Sequence, residues 1–518
     1  MNFKDVTMHT GTVSPVGNLS NLFRNSRALL NPPEQANRMR LLPGISLLPH
    51  TSLTTASSST LHTGSAITSA PRVVPSALSL PRSIRKLAVV MLAGLGMQAA
   101  YAGSWYVDGN YGSDYNNGSR YSAFKSVWKA WSKAQPGDTV YLMPTTTYGP
   151  IWLGGKSGYS GKPITLKGYG TGSNMTKVSG QYKKSGIMIE KGRNHINIQN
   201  LNVTAPGHGS YAGHSAIHLL GNRHIQILNN YVHRSGCAGI QTMHSDYITI
   251  SNNRVAYNAN DTYNNIFCSG ISNHENLDSD SNTGVKMRIT NNVVYGNTNK
   301  RWSGCTSPCV HSDGNGIIID DSRRVQTDYK KYRGRTLIKN NIVVGNGGRG
   351  VHIYSSDNVD VFNNTVYMNN RDPYLSAWRA GEIMAIKSGG VNIYNNIAHT
   401  DAKYVSSLAG ELVSISVEYA SGGAIKVDHN LNFNSKNDWD NRFYAKGNST
   451  SVNFGSSNRF GNPKFRNPGT DMSWADMRVN DGSPAYKFYS PSFTIPKEDF
   501  LYKNRYSPVT AGAYQYAW

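Results

Sequence analysis

Charge is scarce in this chain. Asp, Glu, Lys and Arg make up only 16% of its 518 residues, and the acidic share is the smaller, 30 against 52 basic. Apolar residues are also few, at 38%. That balance argues against long packed helices, whereas 51 glycines and abundant Asn, Ser and Tyr favour turns and short strands. No stretch spans a membrane once the segment near residue 90 is explained. Histidines and carboxylates lack the tight spacing of a zinc site. No nucleic-acid recognition motif is present, so nucleic acid is not an expected partner.

The segment near residue 90 reads RSIRKLAVVMLAGLGMQAAYAG. Arg82, Arg85 and Lys86 precede a short apolar run from Leu87 to Met97, and Ala100-Tyr101-Ala102 has the small-x-small form of a signal-peptidase site. Residues 82–102 therefore read as a secretory signal, and 1–81 as a disordered or untranslated extension without periodicity. Removing the nine basic and two acidic residues of 1–102 leaves 43 basic and 28 acidic, a balance of about +15. A basic protein, secreted or periplasmic and expected to be a monomer, suits an anionic partner such as an acidic polysaccharide.

Residues 103–518 repeat an apolar-x-apolar-x-Asn pentamer: INIQN (196–200), IQILN (225–229), ITISN (248–252), MRITN (287–291), TLIKN (336–340), VDVFN (359–363) and VNIYN (391–395). The shortest spacing between successive asparagines, 23 residues, suits one coil of a right-handed parallel β-helix, with longer gaps as inserted loops. Strand alternation predicts that Asn200, Asn229, Asn252, Asn291, Asn340, Asn363 and Asn395 point inward and stack from coil to coil about 4.8 Å apart. SAFKSVWKAWSKA (122–134) places Phe124, Val127, Trp128 and Trp131 at helical spacing, as a short N-terminal capping helix. Residues 460–518 leave the repeat and are expected to close the last coils as an irregular C-terminal cap. The class is all-β, a single solenoid domain.

WYVDGNYGSDYNNGS, PGDTVYL, the Asn-rich coils and a terminal SPA…GAY together resemble secreted right-handed parallel β-helix proteins of the pectate-lyase-like superfamily, with an N-terminal pattern similar to polysaccharide lyase family 9. The resemblance covers roughly residues 105–516. It is specific for fold and less so for activity, since the superfamily includes lyases, hydrolases, epimerases and binding proteins.

A second strand precedes each pentamer, starting at Ile217, Ile240, Ile271, Ile317, Val351 and Ile383. Three residues on, an outward column runs Leu220, Met243, His274, Asp320, Tyr354, Ile386. The next column runs Gly221, His244, Glu275, Asp321, Ser355, Lys387. Carboxylates stacked about 5 Å apart repel unless a cation or proton intervenes. Glu275, Asp320, Asp321 and Asp313 are thus candidate oxygen ligands for Ca²⁺, with His311 in the adjoining loop as a further member of the site. The competing reading pairs the aspartates with Arg323 or Arg324.

A lyase acting on a uronic polymer must neutralise the carboxylate and remove the adjacent proton. The resemblance implies calcium paired with a Lys or Arg base. Lys387 is the candidate base, with Arg349 as neutraliser or donor, His274 and His352 as alternative bases, and Tyr354 nearby. His244, Arg323 and Arg324 are candidate substrate contacts. A hydrolase would use the same carboxylates as acid and base or nucleophile. Gly207-His208-Gly209 and Asp320-Asp321 resemble a polygalacturonase pair in reversed order, without that family's Asn-Thr-Asp element. A non-catalytic glycan-binding or matrix protein is the third reading. The coil alignment also stacks Cys237 on Cys268, and CTSPC brings Cys305 near Cys309, so those two disulfides are expected in an exported protein.

Overall fold

The structure is a computed structural model. It describes residues 102–181, 184–206, 215–260, 268–299, 311–325, 330–375, 379–401, 413–435, 442–447, 451–488 and 496–516. The signal segment up to Tyr101, the 1–81 extension, Gly207-His208-Gly209 and the Cys305–Cys309 pair lie outside the described residues.

The chain winds as a right-handed parallel β-helix. Each coil contributes one short strand to each of three parallel sheets, of ten, twelve and eleven strands, with every strand paired to those one coil before and after. In the first sheet the register pairs Ile217 with Ile240, Ile240 with Ile271, Ile271 with Ile317, Ile317 with Val351, and Val351 with Ile383. That is the alignment the repeat predicts. Two further strands continue it through Ile415 and Phe443. The branched side chains of all three sheets fill one continuous interior, which suits their preference for pleated, covered surfaces.

The asparagine column is corrected by one residue. Asn200, Asn229, Asn252, Asn291, Asn340, Asn363 and Asn395 all have φ between 53° and 58°, the left-handed region. Asn tolerates that conformation better than most residues. A left-handed residue turns the chain out of strand geometry, so the two-residue alternation ends there and the side chain does not enter the core. The buried stack is formed by the next residue. The N–H groups of Leu201, Asn230, Asn253, Asn292, Asn341, Asn364, Asn396 and Asn430 each donate to the Oδ1 of the asparagine one coil on, ending at Asn458, at 2.9–3.0 Å. The second Asn of each Asn-Asn pair thus satisfies the backbone where the sheet ladders are interrupted.

A second ladder runs at another corner from Ser235 through Asn258, Asn297, Asn346 and Asn369. Its amides lie against glycines; a Cβ at Gly350 would sit 2.7 Å from Asn369 Nδ2. One coil on, Glu382 takes the glycine position, and its carboxyl receives both the Asn369 N–H (3.0 Å) and Nδ2 (2.6 Å).

The N-terminal helix is shorter than the predicted 122–134, spanning Val127–Lys133, with Ser126 Oγ accepting the Lys129 N–H as its N-cap. Phe124 and Trp131 are buried as expected, but Trp128 faces solvent, 76% exposed. The described part of 460–516 does more than follow the last coil. Phe465, Met477, Val479 and Phe488 pack on Tyr295, Val344, Tyr367 and Ile397 along the outside of the third sheet. Backbone carbonyls of Asp499 and Phe500 accept from Asn291, and that of Glu498 from Asn340.

Candidate active site

The outer face of the first sheet carries the chemistry. Its strands Ile271–His274, Ile317–Asp320, Val351–Tyr354, Gly381–Ile386, Val413–Glu418 and Phe443–Lys446 lie side by side. Their register aligns His274, Asp320, Tyr354, Ile386, Glu418 and Lys446 in one row across the coils. The next row, His244, Glu275, Asp321, Ser355, Lys387 and Tyr419, is left-handed throughout, with φ between 43° and 50°. These residues end each strand and start the turn to the second sheet.

The acidic part of these rows is knit together. His274 Nδ1 lies 3.0 Å from Asp320 Oδ2, and His274 Nε2 3.7 Å from Glu275 Oε1. Glu275 Oε2 is 2.7 Å from His244 Nε2. Burial pulls the His274 pKa down, but the Asp320 hydrogen bond and charge, with Glu275 and Asp321, more than offset it, so the net shift is upward. Asp321 is fully buried, and its Oδ1 accepts the Val325 N–H at 2.9 Å. Asp313 is buried beside Asn315 Nδ2 (3.2 Å), and burial with the nearby Asp320 charge pushes its carboxyl up to about 7.

The predicted calcium ligands do not close into a cage. Among the described residues no group of three or more His, Cys, Asp or Glu side chains is placed to hold a metal ion. Glu275 is held by His244 and Arg324, Asp320 by His274, and Asp321 by its own turn. Among the described residues the donor set therefore does not form a calcium cage, and no step below is routed through it. Arg323, expected to touch substrate, is bound to Asp357 (2.6 Å) and to Ser421 instead. His311 stands apart, with Nδ1 2.5 Å from Asp372 Oδ2.

The coils above Asp320 hold His352, Arg349, Tyr354 and Lys387. His352, in the neighbouring outward row, is only 4% exposed, and neither ring nitrogen has a hydrogen-bond partner. Burial, reinforced by the Arg349 charge, keeps its pKa well below the usual histidine value, so the ring is neutral. Arg349 is buried too, with Nη1 donating to the Ser312 carbonyl at 2.6 Å and Nε lying 3.4 Å from Met384 Sδ. Burial lowers its pKa to about 10, while Asp313 and Glu418 pull the other way. The Tyr354 ring lies 5.9 Å from the His352 ring, and the exposed Lys387 carries its ammonium 5.8 Å from the Tyr354 centroid.

Glu418, Tyr419 and Lys446 extend the face beyond the residues expected from sequence. Lys446 Nζ lies 5.6 Å from the Tyr419 ring, and burial raises the Glu418 pKa. The alternation in Val413–Glu418 carried the signal; the alignment had only to continue two coils further. Cys237 and Cys268 form the expected disulfide, with Cα atoms 5.1 Å apart.

No protein-family model matches the chain, and no curated protein matches it. Similar solved structures include the pectate lyase Pel9A, 16% identical over 80% of this chain and 97% of that one, with a TM-score of 0.43. A rhamnogalacturonan lyase is 12% identical over 74% and 96%, TM-score 0.38. The GH136 lacto-N-biosidase from Eubacterium ramulus is 13% identical over 73% and 69%, TM-score 0.36. Likenesses this distant assign no chemistry. The chain is a right-handed parallel β-helix on the strength of its own three parallel sheets and their register. No helix among the described residues is long and apolar enough to cross a membrane.

Proposed function

We propose that the protein cleaves an acidic, uronate-containing polysaccharide by β-elimination on the outer face of the first sheet, centred on Tyr354. The observation that carries this reading is the His352 imidazole, buried and without a partner at either nitrogen, with its ring 5.9 Å from the Tyr354 ring and close enough to feel the Arg349 charge. Buried polar groups in folded proteins are nearly always paired, so an unpaired pair of ring nitrogens marks a place where a bound molecule completes the structure.

The roles follow from protonation. Lys387 and Arg349 offset the uronate carboxylate, which makes the adjacent C5 proton acidic enough to remove. His352, already in its basic form, takes that proton. The electrons left at C5 form the C4–C5 double bond as the C4–O bond breaks. Tyr354 protonates the departing oxygen and is reprotonated from solvent, and the imidazolium sheds its proton to solvent as product leaves. This reassigns Lys387 from base to neutraliser, because a neutral imidazole needs no prior deprotonation. The Tyr419–Lys446 pair extends a basic, aromatic strip suited to further anionic sugars.

A hydrolase is the second reading, favoured by one observation. The Asp313 carboxyl, pushed up to about 7, stands near the Asp320 charge, the kind of split that separates a general acid from a base. Incubation with a panel of uronic polymers separates the readings. A lyase generates the ultraviolet absorbance of an unsaturated uronide together with new reducing ends; a hydrolase generates reducing ends alone. Retention on a glycan column with neither signal indicates a binding protein. With an active substrate, His352→Ala lowers kcat by about 10²–10⁴-fold, the usual worth of a general base, whereas Lys387→Ala chiefly raises KM. Unchanged turnover in His352→Ala removes that residue from the mechanism.

A further inference from the structure

Glu275 and Asp321 follow each other in the left-handed row, one coil apart. Their side chains are almost wholly buried. Two carboxylates at a spacing of about 4.8 Å need a cation or a proton between or beside them. The turn after Asp321 supplies the cation. Arg324 donates its backbone N–H to the Asp321 carbonyl (2.8 Å), has φ of 57°, and is followed by Val325, whose N–H binds Asp321 Oδ1. This closed turn brings the guanidinium to Glu275. Nη2 lies 3.6 Å from Oε2, and Nη1 3.4 Å from the Glu275 backbone carbonyl. The Arg324 side chain is 1% exposed. On its other side the same carboxylate oxygen meets His244 at 2.7 Å.

The same arrangement recurs along this edge. Asp357 is paired with Arg323 and Lys331. Asp246, Asp278 and Asp280 surround the Lys286 ammonium at 3.1, 3.0 and 2.9 Å. In each case a basic side chain lies directly against the carboxylate it neutralises, and at Lys286 one ammonium serves three.

We propose that Arg324 is a built-in counter-cation, a guanidinium in the position that a divalent ion would need, so that the acidic edge of this face is assembled without metal. The proposal concerns assembly and not turnover, so its test reads stability and binding and stands apart from the proposed activity.

Thermal melting of the full chain, in chelator and in millimolar calcium, is the experiment, with equilibrium dialysis of calcium as a second readout. The wild-type midpoint is expected to be the same in both conditions, with no stoichiometric calcium retained. Arg324→Met leaves Glu275, one coil from Asp321, without its guanidinium. It is expected to melt lower in chelator and to regain part of the loss in calcium, while Arg324→Lys keeps the wild-type insensitivity. A wild-type midpoint that rises with calcium, or stoichiometric calcium on the wild-type protein, overturns the proposal. So does an Arg324→Met variant that melts like wild type in both conditions. If Arg324→Met is not recovered folded, the wild-type melting and dialysis decide alone.

Discussion

Replacing Asn341 by leucine tests the internal ladder directly. Asn341 is fully buried, and its Oδ1 accepts from the Asn292 backbone N–H at 2.9 Å and from Asn292 Nδ2 at 3.0 Å. Its Nδ2 donates to the Ile289 carbonyl and to Asn364 Oδ1, each at 2.9 Å. Leucine is similar in size but removes all four bonds and strands the Asn292 N–H where water cannot reach. At about 1 kcal/mol net for each of three hydrogen bonds, and 1–3 for the buried donor left unpaired, the expected loss is about 4–6 kcal/mol. The adjacent Asn340→Gly is the control. Asn340 sits at φ 55°, which glycine adopts freely, and it gives up two bonds, one donated to the Glu498 carbonyl and one accepted from Arg505. Its cost should be about 1–2 kcal/mol. Urea unfolding followed by far-ultraviolet circular dichroism compares the two, and amide exchange at Asn292 reports whether opening is local to these coils, as expected of a solenoid. Equal losses, or a larger loss at Asn340, would refute the assignment of the ladder to the second asparagine of each pair.

Glu382 makes stability fall as pH rises. Burial pushes its carboxyl up to about 8, whereas in the unfolded chain it ionises near its ordinary value of 4.5. Between those values the folded state holds a proton that the unfolded state has shed, so each step up in pH favours unfolding until about pH 8. Glu382→Gln should keep the acceptor for Asn369, flatten that slope and melt higher than wild type at pH 7–8 but not at pH 4; parallel melting curves would count against it. Reduction of Cys237–Cys268, which encloses a loop with a sequence separation of 31, should cost about 3–4 kcal/mol on chain-entropy grounds. Melting of a Cys237→Ser/Cys268→Ser variant checks this, and no loss would mean that the coil contacts alone define the loop.

Repetition made most of the fold legible in the sequence. Apolar residues two apart, repeated at coil spacing, specify which side chains fill the interior. Because every coil must bury the same face, the alignment also specified the cross-coil register from Ile217 to Ile383 and placed Cys237 on Cys268. The outward row His274, Asp320, Tyr354 followed from the same rule. Alternation failed where the backbone leaves strand geometry. At Asn200 and its equivalents a positive φ reverses the side chain's direction, and hydropathy carries no mark of that.

The site depended on contacts between segments far apart in sequence. Asp320 and Asp321 read as metal ligands until a turn brought Arg324 back to Glu275, 49 residues away. His352 and Tyr354 have the same spacing as any two outward residues on one strand. Only packing separates them, leaving one imidazole buried and unpaired and the other ring part-exposed beneath an ammonium. Local pattern determines which way a side chain leaves a strand, because that depends on neighbouring backbone angles. Tertiary structure decides what it meets there, because charge and burial are set by whichever chain segments fold over it.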